Sequence, residues 1–199
     1  TGRYSRSDLT QGQTVGSQTT KAANALSADI GLYYQTAIDQ RQDIAAGVHI
    51  SNLGSKLRYS DDDTEAEFLP ANLRLGARYT LRPDEYNKIS FMLDLNKLLV
   101  PTPPVKDEET GEWIGHYSDM NDYRMTGSMQ GAINSFFDAP GGFREELSEF
   151  TVSVGAEYWY QEIFAGRIGY FFEPAPKGGR QYLTLGLGLR YNVFELDFA

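Results

Sequence analysis

Residues 181–192 read Gln181-Tyr182-Leu183-Thr184-Leu185-Gly186-Leu187-Gly188-Leu189-Arg190-Tyr191-Asn192. In an extended chain successive side chains point to opposite faces. Leu183, Leu185, Leu187, Leu189 and Tyr191 therefore share one face, and Thr184, Gly186, Gly188, Arg190 and Asn192 share the other. A large, uniformly apolar face backed by a small, polar or charged one is the pattern of a strand with lipid outside and a polar barrel lumen inside. A sandwich strand also alternates, so the decision rests on whether the rest of the chain repeats the design.

It does. Leu26, Ala28, Ile30, Leu32 and Tyr34 oppose Ser27, Asp29, Gly31, Tyr33 and Gln35 in a first strand over 25–36, preceded by a polar stretch, 1–24, read as a loop. Ile44, Ala46, Val48 and Ile50 oppose Ala45, Gly47, His49 and Ser51; Leu73, Leu75, Ala77, Tyr79 and Leu81 oppose Asn72, Arg74, Gly76, Arg78 and Thr80. The same alternation runs through 89–96, 150–160 and 164–172, and resumes at Phe194, Leu196 and Phe198 with Glu195 and Asp197 inward. No charge stands on any apolar face, whereas the opposite face carries Asp29, Arg74, Arg78, Asp94, Glu157, Arg167 and Arg190. Connections alternate between tight turns near Asp39, Pro83, Glu162 and Asn192 and longer loops near Asp62, Gly111 and Lys177, as in outer-membrane barrels with short periplasmic turns. Tyr34, Tyr79, Tyr160 and Tyr191 lie beside the short turns, where an interfacial aromatic girdle belongs.

Composition agrees. The 199 residues include 20 Gly, 13 Tyr and 11 Phe but no Cys, which excludes disulfides, thiolate metal sites and Cys nucleophiles. A formal net charge of -9 argues against nucleic-acid binding through phosphates. No apolar run reaches the roughly 20 residues of a membrane helix, a test that β-strands of about 9–11 residues escape. No signal peptide is visible, and the chain is expected to be a mature or partial segment. The fold class is therefore all-β, an antiparallel transmembrane β-barrel, here one partial barrel domain over 1–199 with about eight strands and a long extracellular loop over 100–146.

Hairpin geometry pairs the inward charges: turns centred near Asp84 and Glu162 place Arg74 opposite Asp94 and Glu157 opposite Arg167 as lumen ion pairs. Such pairs rigidify a wall; an ion-selective pathway is the alternative use. Asp29, His49 and Ser51 come close on the inner wall, but without a nucleophile elbow or oxyanion-hole motif they read as a polar lumen cluster. No catalytic residue, cofactor or metal site is expected. The acidic run Asp61-Asp62-Asp63-Thr64-Glu65 lacks the EF-hand spacing and reads as a solvated loop.

Loops on rigid scaffolds usually carry function, and 100–146 is the longest. Pro101, Pro103 and Pro104 stop the preceding strand, and Glu109-Thr110-Gly111 suggests a hairpin turn. Helical spacing over 121–138 puts Met125, Met129, Ile133, Phe136 and Phe137 on one stripe, ended by Pro140-Gly141-Gly142. The stripe is expected to pack onto its own protein; an adaptable surface for a partner is the alternative.

Several segments resemble a known family: Ser51-Asn52-Leu53-Gly54, Phe68-Leu69-Pro70 with Asn72-Leu73-Arg74-Leu75-Gly76, Asp94-Leu95-Asn96-Lys97-Leu98-Leu99-Val100-Pro101-Thr102-Pro103-Pro104, Gly155-Ala156-Glu157-Tyr158-Trp159-Tyr160 and Arg167-Ile168-Gly169-Tyr170-Phe171. They are similar to PorV (LptO), the FadL-like outer-membrane barrels of the type IX secretion system. The Asn-Lys-Leu-Leu-Val-Pro-Thr-Pro run is the most specific part. The resemblance implies a barrel of about fourteen strands when complete. It implies no catalysis but a shuttle, which receives secreted cargo by its C-terminal signal domain from the translocon. The shuttle hands that cargo to a sortase and other attachment-complex proteins, beside outer-membrane lipid and lipopolysaccharide. The loops around Asp62, Trp113 to Phe143 and Pro174 to Arg180 then do the binding, with Trp113, Ile114, His116, Tyr117, Tyr123 and Phe143 as candidate contacts. The alternatives are a FadL-like channel for hydrophobic small molecules, gated by the long loop, and a lipid A deacylase using His49 or Ser51.

Overall fold

A computed structural model describes residues 1–8, 14–15, 18–19, 21–59 and 66–199. Nine strands form one antiparallel sheet: β1 (Gly2–Ser7), β2 (Ala23–Ala37), β3 (Gln42–Gly54), β4 (Asn72–Leu81), β5 (Asn87–Leu98), β6 (Phe150–Tyr160), β7 (Phe164–Phe172), β8 (Gln181–Tyr191) and β9 (Phe194–Phe198). Each strand pairs with its sequence neighbour, and among the described residues no pairing joins β9 to β1. The sheet is thus all-β and antiparallel, and closure into a barrel is not seen. Among the described residues no helix is long and apolar enough to cross a membrane, which says nothing of strands.

One expectation is corrected. Eight strands were anticipated, with 1–24 as a loop; Gly2–Ser7 is instead a ninth strand, paired with β2 through Tyr4↔Leu26 and Arg6↔Asn24. Gly2-Arg3-Tyr4-Ser5-Arg6-Ser7 lacks an apolar alternation, so its strand state comes from the free edge of β2 and not from its own pattern. The acidic run 61–65 lies outside the described residues.

The alternation is visible as exposure. Leu183, Leu185 and Leu187 are exposed, Leu187 at 67%, while Gly188 on the opposite face is buried. Pairing in register stacks like faces: Ile168↔Leu185 lies on the apolar side, and Glu157↔Arg167 on the polar side. The three-residue connection between β6 and β7 places Gln161 and Glu162 at φ 53° and 56°, both in the left-handed region. At the β4–β5 turn Asp84 Oδ1 accepts from the Tyr86 and Asn87 amides at 2.8 and 2.9 Å.

Contacts divide the chain into two compact units. The first comprises Thr1–Ile30, Ile50–Leu73 and Leu98–Leu147; the second comprises Gly31–His49, Arg74–Lys97 and Ser148–Ala199. The core of the first unit is Ala71, Leu99 and Ala132, with Ile50, Leu53, Leu73 and Phe136 packed against it.

Candidate functional site

The long connection belongs to the first unit up to Leu147. Leu99 N donates to Ala71 O at 2.7 Å as the strand ends, and Pro101 is fully buried. A hairpin follows, with Val105–Lys106 paired to Trp113–Ile114. Asp107 Oδ1 closes it by accepting from Glu109 N at 2.9 Å and Thr110 N at 2.7 Å, and these amide bonds hold the Asp107 carboxyl below its ordinary value. Gly111, at φ 72°, supplies the left-handed turn residue.

Beyond the hairpin come α1 (Met120–Met125), α2 (Ser128–Asn134) and α3 (Phe143–Leu147). The single helical stripe anticipated over 121–138 is therefore broken. Thr126 and Gly127 take extended backbone, and Asp119 caps α1 by accepting from Asn121 N and Asp122 N, both at 2.8 Å.

The packing side of these helices is small and aromatic. A Cβ on Gly131 would stand 2.6 Å from Phe68 Cε1 and 3.2 Å from Pro101 Cδ, so only glycine lets α2 approach this closely. Rings then run in series: Phe68 to Tyr123 at 5.4 Å, Tyr123 to Tyr117 at 5.4 Å and Tyr117 to His116 at 5.1 Å, the last two edge-on. Lys56 Nζ lies 3.7 Å from the Phe68 centroid and donates to Arg124 O at 2.7 Å. Asn134 Nδ2 donates to the Tyr117 hydroxyl at 3.0 Å. Burial pushes the Tyr123 phenol up to about 12 and raises that of Tyr117.

The candidate contacts therefore split. Tyr117 and Tyr123 are 4% and 9% exposed and form the loop's own core. Trp113, Ile114, His116 and Phe143 are exposed. The stripe expected to pack inward faces out instead: Met125 is 80% exposed and Phe137 79%, with Met129 and Ile133 also exposed; of the stripe only Phe136 joins the core. The reason is steric. Gly131, Ala132 and Ser135 allow close approach, so the large side chains take the other side.

Apart from Asp29, the polar-face charges lie in the second unit. Glu157 faces Arg167 in register, Oε2 to Nε 2.7 Å, and Arg167 Nη1 also meets Asp197. Arg190 pairs with Glu195 at 3.1 Å. Trp159 is buried among three cations, with Arg190 Cζ 4.8 Å from its ring centroid and Arg167 Cζ and Lys88 Nζ each at 5.5 Å. That grouping escaped the sequence reading, although alternation already placed Trp159 and both arginines on one face. Asp43 accepts from Arg82 at 2.7 Å. Arg74 and Asp94 line a recess of about 330 Å³ with His49, but no ion pair joins them among the described residues; the Asp94 carboxylate lies over Gly76, 2.8 Å from where a Cβ would stand.

Nothing at Asp29 or His49 resembles a hydrolytic relay. In the first unit both Asp29 oxygens are engaged, Oδ2 by Arg3 at 2.5 Å and Oδ1 by Asn52 N at 3.0 Å. In the second, the His49 ring lies against Gly31.

Residues 1–105 match the protein family described as "Type IX secretion system protein PorV". No curated protein matches the chain. The matched residues span more than half of the chain and include β1 to β5, among them the Asn-Lys-Leu-Leu-Val-Pro-Thr-Pro run. The chain belongs to the PorV family of type IX secretion system proteins.

Proposed function

We propose that the chain is part of an outer-membrane β-barrel that receives the C-terminal signal domains of secreted cargo on its long loop and passes them to the attachment complex. Catalysis forms no part of this reading. One observation carries it: a loop with its own buried core presents Met125, Met129, Ile133, Phe137 and Phe143 outward. Met129 and Ile133, four residues apart, share one side of α2. Side chains of this kind, when fully buried against a partner, each contribute about 1.5–3 kcal/mol. Flexible Met beside rigid Phe suits a surface that must accept many cargo sequences. The uncharged apolar faces of β2, β3, β7 and β8, exposed over most of their length, support membrane placement, since hydrocarbon covers them without cost.

The direct test replaces Met125, Phe137 and Phe143 together by Ser in the protein reconstituted in bilayers. Capture of a purified signal domain is expected to weaken by more than about tenfold, with heat-modifiable mobility unchanged. Undiminished capture by a folded variant would falsify the reading. Removing 106–117 is the poorer test, because it deletes Tyr117 from the loop core.

A further inference from the structure

The first unit contains a second surface, joined to the long loop at Lys56, whose Nζ donates to Arg124 O. A recess of about 460 Å³ is lined by Lys21, Ala22, Asn24, Ser55, Lys56 and Arg58. Three of these six residues are cationic, in a chain of net charge -9. Asn24 is the cross-strand partner of Arg6, which is exposed, and it accepts from the Tyr4 hydroxyl at 2.6 Å. Directly cross-strand residues share a face, so Arg6 and Asn24 lie on the same side of the sheet as Tyr4 and Leu26. Ala28 and Ile30 continue that face along β2, and Tyr4, Leu26 and Ile30 are all exposed large side chains. A strip of apolar surface thus runs into a cluster of cations at the long-loop end of β2, since Ala23 opens that strand and its short turn lies at the other end.

We infer that this recess binds the phosphate of an outer-leaflet lipid whose acyl chain lies along Tyr4, Leu26, Ala28 and Ile30. The inference rests on the membrane reading above and concerns a different surface from the cargo loop. Lysine and arginine are the side chains that hold phosphate oxygens, and a headgroup at the edge of an apolar strip is where a lipid places its charge. Burial pushes the Lys56 ammonium below its ordinary value; Glu67 pulls the other way and Arg58 adds to the burial effect, so an anion in the recess offsets an existing cost. The apolar strip is what selects a lipid over a free anion, because phosphate alone gains nothing from Leu26 or Ile30.

The test compares phosphatidic acid with diacylglycerol of the same chains, two probes that differ only in the phosphate. Protein in detergent is titrated with each, and retained lipid is read by native mass spectrometry. Each cation near a charged lipid surface is worth about fivefold in affinity, so the wild type is expected to retain phosphatidic acid over diacylglycerol by at least about tenfold. R6Q/K21Q/R58Q is expected to erase that preference, and the same charge removed at Arg41, Lys106 and Arg144 to preserve it. Equal retention of the two lipids by the wild type overturns the inference, as does displacement of phosphatidic acid by millimolar inorganic phosphate, which would assign the recess to a free anion. Bilayer insertion of the wild type is measured in parallel: insertion with equal retention sinks the lipid site alone, whereas failure to insert sinks the membrane reading as well.

Discussion

The Arg167 guanidinium and the Glu157 carboxylate meet at 2.7 Å, directly across the ladder between β6 and β7. Neither is fully solvated, and Arg167 also holds Asp197. Removing Arg167 therefore leaves two carboxylates facing one polar wall. Arg167→Gln is expected to destabilise the sheet more than Glu157→Gln does, and a double-mutant cycle between them to give a coupling of about 0.2–1 kcal/mol. Urea unfolding in lipid vesicles measures both; a coupling of zero would show that solvent screens the pair.

Gly131 is the point at which α2 touches the wall of its own unit. A methyl group there would stand 2.6 Å from the Phe68 ring, so Gly131→Ala is expected to cost about 1–3 kcal/mol despite the better helix propensity of Ala. Limited proteolysis reads the effect locally. The segment 100–147 becomes cleavable while β6 to β8 stay protected; unchanged resistance would mean that the ring yields.

The β6–β7 turn carries avoidable strain. Gln161 and Glu162 both occupy the left-handed region, which costs an ordinary residue roughly 1–2 kcal/mol and Asn or Gly much less. Q161N/E162G is expected to stabilise the hairpin by about 1 kcal/mol. The exposed partner lost with it, Lys88 to Glu162 at 3.5 Å, offsets little of that. A midpoint of unfolding that does not rise would place the strain elsewhere.

Glu149 makes the segment that follows Leu147 sensitive to acid. It accepts from Lys177 at 2.7 Å and from Lys97, whose side chain is fully buried. Burial alone would raise its pKa, but the hydrogen bonds from Lys177 and Lys97 and their charges outweigh burial and hold the carboxyl below its ordinary value. A folded value below the unfolded one gives stability that is present above the unfolded carboxylate pKa and is lost as pH falls through the folded value. The wild type is therefore expected to lose its advantage over Glu149→Gln as pH falls below the ordinary carboxylate range. Parallel unfolding curves at neutral and acid pH check this, and an advantage independent of pH would refute it.

How far the chain could be read in advance varies by element. Leu183 to Tyr191 announced β8 because strict alternation of large apolar with small or polar side chains needs no tertiary information to declare its two faces. Glu157 and Arg167 could be paired from the turn position alone, since a hairpin of known centre fixes its register. β1 could not be read, because its strand state is borrowed from the edge of β2.

What the local pattern determined, then, is the sheet from β2 onward: which segments are strands, which face of each is apolar, and where the tight turns fall. Only the tertiary structure decided the loop. Spacing places Met125, Met129, Ile133 and Phe137 on one stripe without saying which side of that stripe is turned to the protein. That choice was made by Gly131 and Ala132, whose small size lets Phe68, Pro101 and Leu99 come close and leaves the large side chains outside. Contact between segments distant in sequence depends on volume and approach, and neither is written in the period of a single helix.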